Sequence, residues 1–317
     1  MLHLLLLLTG FLPLIYGAHL LVEGASSLAR RFSVPDIVIG LTIVAFGTST
    51  PELIVNVFAA VEGDASIALG NVLGSNIFNI LGILGITALI LPLQVKSRTT
   101  WIEIPLCVLA AAVLFVTAND RLIEGAGGDG IGRIDGIILL LFFSVFFAYV
   151  FHSVSEEGAT REHGQKNLPV VRSVLHIGLG LLLLIMGGRL IVVSAVKLAQ
   201  NSGVPERIIA LTIVAIGTSL PELATSVVAA FKKNVDIAIG NVVGSNIFNT
   251  FLILGISAVI HPLQVPKAVH LDLLVNGGAA VLLFVVIFLG KGRRVDRVEG
   301  AVFVSIYIAY VIFLLLF

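Results

Sequence analysis

GTSTPEL, Gly47 to Leu53, and its near-copy GTSLPEL, Gly217 to Leu223, decide how this chain reads. Each sets a proline and a glutamate inside a run that is otherwise apolar enough to lie in a lipid bilayer. Pro51 and Pro221 remove a backbone donor and displace the carbonyl four residues earlier, near Gly47 and Gly217. A carboxylate at membrane depth costs at least ~2.5 kcal/mol, so it is seldom idle. Broken backbone, the hydroxyls of Thr48, Ser49, Thr218 and Ser219, and the carboxylates of Glu52 and Glu222 make an oxygen-rich pocket. The residues themselves read as a cation site, written twice.

Outside these motifs the chain is a membrane protein by composition. Hydrophobic residues make up 58% and charged residues 12% of the 317 residues, against roughly a quarter charged in soluble domains. Mean hydropathy is +1.10. A formal net charge of zero gives no reason to expect a nucleic-acid partner, and the single cysteine, Cys107, excludes an internal disulfide. Apolar runs of spanning length fall at about 2–28, 35–61, 65–91, 100–118 and 134–152, then at about 173–199, 205–231, 235–260, 269–289 and 298–316. The opening MLHLLLLLTG lacks a basic flank and is taken as the first span, not as a signal peptide. The expected fold is all-α and polytopic, about ten helices in two five-helix repeats, with helices 2 and 7 broken. Residues 1–152 form the first repeat, 153–172 a charged linker loop, and 173–317 the second repeat.

The repeat is direct in sequence. LTIVAFGTSTPEL (41–53) matches LTIVAIGTSLPEL (211–223), GNVLGSNIFNILGILGI (70–86) matches GNVVGSNIFNTFLILGI (240–256), and ILPLQV (90–95) matches IHPLQV (260–265). An odd number of spans per repeat inverts the second copy relative to the first. The charges agree: Arg30-Arg31 become Gln200-Asn201, and Glu62-Gly63-Asp64 become Lys232-Lys233-Asn234. Placing both termini outside the plasma (inner) membrane puts most lysines and arginines, including Arg30, Arg31, Lys96, Arg98, Lys232 and Lys233, in the cytoplasm with the linker. Inverted repeats with interrupted helices place a binding site at the membrane midplane.

The second block of each repeat supplies the other wall. Asn71, Ser75 and Asn79 are spaced four apart and share a helix face, as do Asn241, Ser245 and Asn249. That face turns inward toward Glu52 and Glu222, because amides and hydroxyls in lipid are costly. Ser75, Asn79, Ser245 and Asn249 read as ligands; Asn71, Asn76 and their copies read as hydrogen-bond glue between helices. Gly70, Gly74, Gly240 and Gly244 read as close-packing seams. The histidines have no metal-ligand spacing, and Arg189, whose counterpart is His19, reads as a snorkelling charge. The donor set is carboxylate, amide, hydroxyl and carbonyl, which disfavours soft metals. Ca²⁺ and Na⁺ both accept such oxygens, whereas Mg²⁺ wants a strict octahedron.

These paired blocks, GTS-x-PEL and GN-x-x-GSN-I-F-N, resemble the two alpha-repeats of the calcium/cation antiporters, most closely the prokaryotic sodium/calcium exchangers. The resemblance covers nearly the whole chain. It implies ion ligation by Ala45 (through its carbonyl), Thr48, Ser49, Glu52, Ser75 and Asn79, and by Ala215, Thr218, Ser219, Glu222, Ser245 and Asn249. It also implies that calcium and sodium compete at the site and that the first and sixth spans slide as a gate over the other eight. Calcium and sodium are then cargo, and no cofactor is expected. Potassium-dependent exchangers carry aspartate where Asn249 stands, and proton-coupled relatives carry a glutamate-bearing block in place of GSN. Both departures favour sodium coupling without potassium, with a proton-coupled antiporter as the alternative. The lipid bilayer is the expected partner, with no obligatory protein partner. Two other classes fit less well. An intramembrane lipid-pyrophosphate hydrolase would need a phosphate clamp, and the one deep arginine, Arg189, has no twin. A passive cation channel would need an open filter.

Overall fold

The computed structural model describes residues 2–125, 128–156, 168–203, 215–289 and 292–316. Besides a short helix at Asp120–Glu124, its helices are α1 (Leu2–Arg31), α2 (Asp36–Thr48), α3 (Thr50–Glu62), α4 (Ala65–Ile90), α5 (Thr99–Thr117), α6 (Arg133–Glu156), α7 (Val170–Asn201), α8 (Ala215–Thr218), α9 (Leu220–Phe231), α10 (Val235–Ile260), α11 (Val269–Leu289) and α12 (Arg297–Leu316). Among the described residues eight helices are long and apolar enough to span a membrane, and α2 with α3 makes a ninth, bent span. The remaining expected span, 205–231, lies partly outside the described residues; α8 and α9 are its described part.

Local chemistry sets the helix ends in the same way in both repeats. Asp64 caps α4 by accepting the Ile67 N–H at 3.0 Å, and Asn234 caps α10 by accepting the Ile237 N–H at 3.1 Å. Pro51 and Pro221 sit in the first turn of α3 and α9, where a missing N–H costs nothing and the fixed φ suits a helix start. The prolines therefore begin new helices just past the points at which the sequence reading breaks helices 2 and 7. Ser49 (φ −82°, ψ 7°) and Ser219 (φ −89°, ψ 10°) leave helical geometry at matching points, and α2 meets α3 at a bend of 49°.

The two repeats pack upside down relative to each other. Strand β1 (Leu93–Gln94), which follows α4, pairs antiparallel with β4 (Arg294–Val295); β3 (Leu263–Gln264), which follows α10, pairs with β2 (Gly130–Ile131). Lys96, just past the end of α4, meets Asp236 at the start of α10 at 2.6 Å. The equivalent helices α4 and α10 therefore run in opposite directions, and equivalent loops lie at opposite ends of the bundle. Close crossings repeat the relation. A Cβ on Gly300 would lie 2.8 Å from the Gly85 carbonyl, and one on Gly136 would lie 2.8 Å from the Gly255 carbonyl.

α1 and α7 stand apart from the rest. They form an antiparallel pair so tight that a Cβ on Gly17 would lie 2.7 Å from the Gly180 carbonyl, and one on Gly187 2.7 Å from the Leu14 nitrogen. Their buried side chains (Leu14, Ala18, Leu21, Ile177, Leu184 and others) form a small cluster of their own, with a strip of α2, α9 and α10. The main core, centred on α4 and α10, holds α5, α6, α11 and α12 together. The outer faces of α1 and α12 present Leu5, Leu12, Tyr16, Val298, Val302 and Ile312 outward, as a lipid-facing surface requires. Gly240 and Gly244 are a close-packing seam: their Cβ positions would lie 2.8 Å from the Ile37 carbonyl and from Ala45 Cβ. The expected seam at Gly70, the counterpart of Gly240, is not seen: a Cβ there would meet nothing within 4 Å, because no neighbouring helix comes as close as α2 comes to Gly240.

Candidate functional site

Both breaks, at Ser49 and Ser219, open onto the middle of α4 and α10. There the helices switch to a π turn, over Phe78–Leu84 and Phe248–Ile253. A π turn widens the helix by one residue and is common where side chains must be re-aimed into a site. Each π turn begins one residue before an asparagine of the site, Asn79 or Asn249. Sequence spacing places the residues on one face but carries no signal for this widening.

Glu52 and Glu222, each in the first turn past its break, are 0% exposed. Each is held by hydroxyls contributed largely from the other repeat. Ser219 donates to Glu52 Oε1 at 3.3 Å and Ser75 lies 3.4 Å from the same oxygen; Ser49 donates to Glu222 Oε1 at 3.0 Å. Ser75 and Ser219 share a hydrogen bond of 2.9 Å. The Thr48 hydroxyl lies 3.0 Å from Asn241 Oδ1 and 3.3 Å from the Ala45 carbonyl, while Thr218 lies 3.5 Å from Asn71 Oδ1. The Ala45 carbonyl also takes the Ser49 N–H at 2.9 Å, whereas the Ser219 N–H goes to Ile216 at 3.2 Å. The side chain of Ala215 lies outside those described.

Asn71 and Asn241 brace the breaks from outside the pocket. Asn241 donates to the Glu222 carbonyl at 3.2 Å and to Ser226 Oγ at 2.9 Å; Asn71 donates to the Glu52 carbonyl at 3.3 Å and to Asn56 Oδ1 at 2.6 Å. Below the glutamates, Asn79 donates to Asn246 Oδ1 at 2.9 Å, and Asn249 donates to Asn76 Oδ1 at 3.0 Å and to Ser75 Oγ at 3.2 Å. Asn246 and Thr250 thus belong to the site's polar network, though neither was singled out as a ligand from sequence.

What this network leaves over defines its chemistry. Glu52 Oε2, Glu222 Oε2, Asn79 Oδ1, Asn249 Oδ1 and Ser245 Oγ are buried and have no hydrogen-bond partner. Native interiors satisfy nearly all buried polar atoms, so orphaned oxygens on five of the expected site residues need a partner of another kind. Among the described residues neither glutamate pairs with Lys, Arg or His. Nor do the described residues hold a cluster of three or more His, Cys, Asp or Glu side chains. The pocket is therefore acceptor-rich, hard in ligand type and doubly negative when ionised, which suits an oxygen-seeking cation.

A family model described as "Sodium/calcium exchanger protein" matches residues 2–152 and 172–316, nearly the whole chain. The chain belongs to the sodium/calcium exchanger family. Sodium/calcium exchanger MaX1 of Methanosarcina acetivorans is 32% identical over 98% of this chain and 97% of its own. Inner membrane protein YrbG of Escherichia coli is 39% identical over 81% of this chain and 79% of its own. Among solved structures, the sodium-calcium exchanger NCX_Mj, from a crystal soaked with Na⁺ and Ca²⁺, superposes with a TM-score of 0.82 at 32% identity, covering 98% of this chain and 97% of that one. Family membership makes this exchanger a multi-pass membrane antiporter of cations, calcium among them, and not an enzyme.

Proposed function

We propose that this exchanger trades calcium for sodium at a midplane site built on Glu52 and Glu222, flanked by sites toward each membrane face and reached alternately from the two sides. The observation that carries the reading is the pair of fully buried glutamates, each with one oxygen held by a hydroxyl and the other without a partner, as are the buried side-chain carbonyls of Asn79 and Asn249. Ala45, Thr48, Ser49, Ser75, Ala215, Thr218, Ser219 and Ser245 complete the ligand set from the two breaks and the facing helices. Two carboxylates neutralise one Ca²⁺; three or more Na⁺ leave the site net positive, so the two ions displace each other and exchange carries charge when more than two Na⁺ move. The separately packed pair α1/α7 supports a gate that slides over the remaining helices. The distribution of lysine and arginine supports both termini outside, and residues 153–172 as a cytoplasmic link between repeats 1–152 and 173–317. Asn249, an amide without charge, supports coupling that needs no potassium.

Flux of ⁴⁵Ca²⁺ into proteoliposomes tests this. Uptake is expected under an outward Na⁺ gradient with K⁺ absent on both sides. Uptake that needs a proton gradient in place of sodium would assign the alternative coupling, a strict K⁺ requirement would overturn the argument from Asn249, and uptake indifferent to any counter-ion gradient would indicate a channel.

A further inference from the structure

An asparagine is a two-ended ligand: its carbonyl attracts a cation and its amino group repels one, and the two ends have nearly the same shape. Placing Asn79 and Asn249 in the site therefore does not by itself make them ligands. Something must hold the amino end away. We infer that Asn246 and Asn76 are positioning residues that fix which end of Asn79 and Asn249 faces the cation; the inference rests on the two-glutamate reading.

The polarity can be followed from a group that can only accept. The backbone carbonyl of Asn76 takes the amino group of Asn246 at 3.2 Å. That turns Asn246 Oδ1 toward Asn79, whose amino group it accepts at 2.9 Å. Asn79 Oδ1 then points away from Asn246, and it is among the buried acceptors without a partner. Each step follows from the one before, so a main-chain oxygen on α4 dictates the orientation of a site side chain through one residue of α10.

Asn249 is held by a different route. Its amino group is shared between Asn76 Oδ1 at 3.0 Å and Ser75 Oγ at 3.2 Å, and the Asn76 amino group in turn goes to Thr250 Oγ1 at 3.0 Å. The first repeat has Ile80 where the second has Thr250. Asn79 thus hangs on one anchor, Asn246, while Asn249 has two. All six side chains are buried, so no bulk water replaces a lost partner. Asn246 is accordingly the position at which orientation and ligand identity separate most cleanly.

A double-mutant cycle tests this with equilibrium ⁴⁵Ca²⁺ binding to purified protein and with Na⁺-driven uptake. Asn246→Leu is expected to weaken Ca²⁺ binding, and to raise the KM for Ca²⁺, by about tenfold, the effect of one buried hydrogen bond to a ligand, with the maximal rate changed less than about twofold. Asn79→Asp presents an oxygen whichever way it turns and needs no orienting partner. In the Asn79→Asp background the same Asn246→Leu change is expected to alter binding less than about twofold, a coupling that a merely structural Asn246 would not show. Equal losses in both backgrounds overturn the inference. If Asn246→Leu does not reach the membrane, Asn246→Ala carries the same cycle with the same two outcomes. Wild-type protein that binds no Ca²⁺ overturns the two-glutamate reading itself, and the inference with it.

Discussion

The ends of α3 and α9 occupy equivalent places in the two repeats and are treated differently by the rest of the molecule. α1 lies along α9, burying Val228 and Ala229 with its own Leu21 and Ala25, and Lys232 at the end of α9 donates to the His19 carbonyl at 3.0 Å. Burial lowers the Lys232 ammonium from its usual range, with nearby Glu23 pulling it back. The matching positions in the other repeat are Glu62 and Arg189, charges of opposite sign that could meet. Both are exposed, and no ion pair joins them among the described residues. α7 does not run along α3 as α1 runs along α9. The physical reason is the tightness of the α1/α7 pair. Two helices packed glycine to carbonyl behave as one body, and one body can lean on only one of two equivalent surfaces at a time. Equivalent surfaces of the two repeats are thereby covered unequally, as the proposed alternating access would require.

The glutamates show the same inequality at the centre. Glu52 has hydroxyls from Ser75 and Ser219 at 3.4 and 3.3 Å, whereas Glu222 has Ser49 closer, at 3.0 Å, with Thr48 as its second hydroxyl. If the two nevertheless act as one charge pair, removing either charge leaves a divalent ion uncompensated, at about 3–5 kcal/mol. Glu52→Gln and Glu222→Gln are each expected to cut Na⁺-driven ⁴⁵Ca²⁺ uptake at least ~100-fold. Full activity in either mutant would remove the two-carboxylate mechanism, and loss in only one would make the repeats chemically unequal.

A smaller effect separates the hydroxyls. Ser49→Ala removes the shortest hydroxyl contact to either carboxylate, 3.0 Å from Glu222, and leaves only Thr48 near it, while Ser219→Ala removes a longer contact of 3.3 Å and leaves Ser75 beside Glu52. The expected loss of apparent Ca²⁺ affinity is about tenfold for Ser49→Ala and about threefold for Ser219→Ala, in line with the loss of a short buried hydrogen bond to a charged group against the loss of a longer one. The reverse order, read from the concentration dependence of uptake, would mean that the Ser75–Ser219 bridge matters more than the carboxylate contacts.

The smallest expected difference lies at the helix ends. Single cysteines replacing Glu62 and Lys232, in a Cys107→Ala background, are expected to react with a membrane-impermeant thiol reagent from opposite sides. The cysteine at position 62, which α7 leaves uncovered, should react a few-fold faster than the one at position 232, which borders α1. Labelling of both from one side would contradict the inverted arrangement across the membrane, and equal rates would remove the asymmetry between the two ends.

Much of this was open to reading in the chain itself. Spanning segments follow from the cost of exposing polar backbone and charge to lipid, a cost that depends on composition alone, and the observed helices begin and end within a few residues of the apolar runs. Inversion followed from an odd number of spans, and the pairing of β1 with β4 and β2 with β3 agrees with it. Glu52 and Glu222 stood out because a charge in an apolar run is conspicuous whatever surrounds it. The tertiary structure decided what depends on partners far apart in sequence. It set that Ser49 serves Glu222 and Ser219 serves Glu52, and that the helices widen by a π turn at Asn79 and Asn249. It also set which end of an amide faces inward, and which of two equivalent surfaces α1 occupies. Hydrogen bonds are short and directional, so their partners are chosen only once the helices are packed; the transfer of apolar residues out of water is neither, and one dimension of sequence suffices to express it.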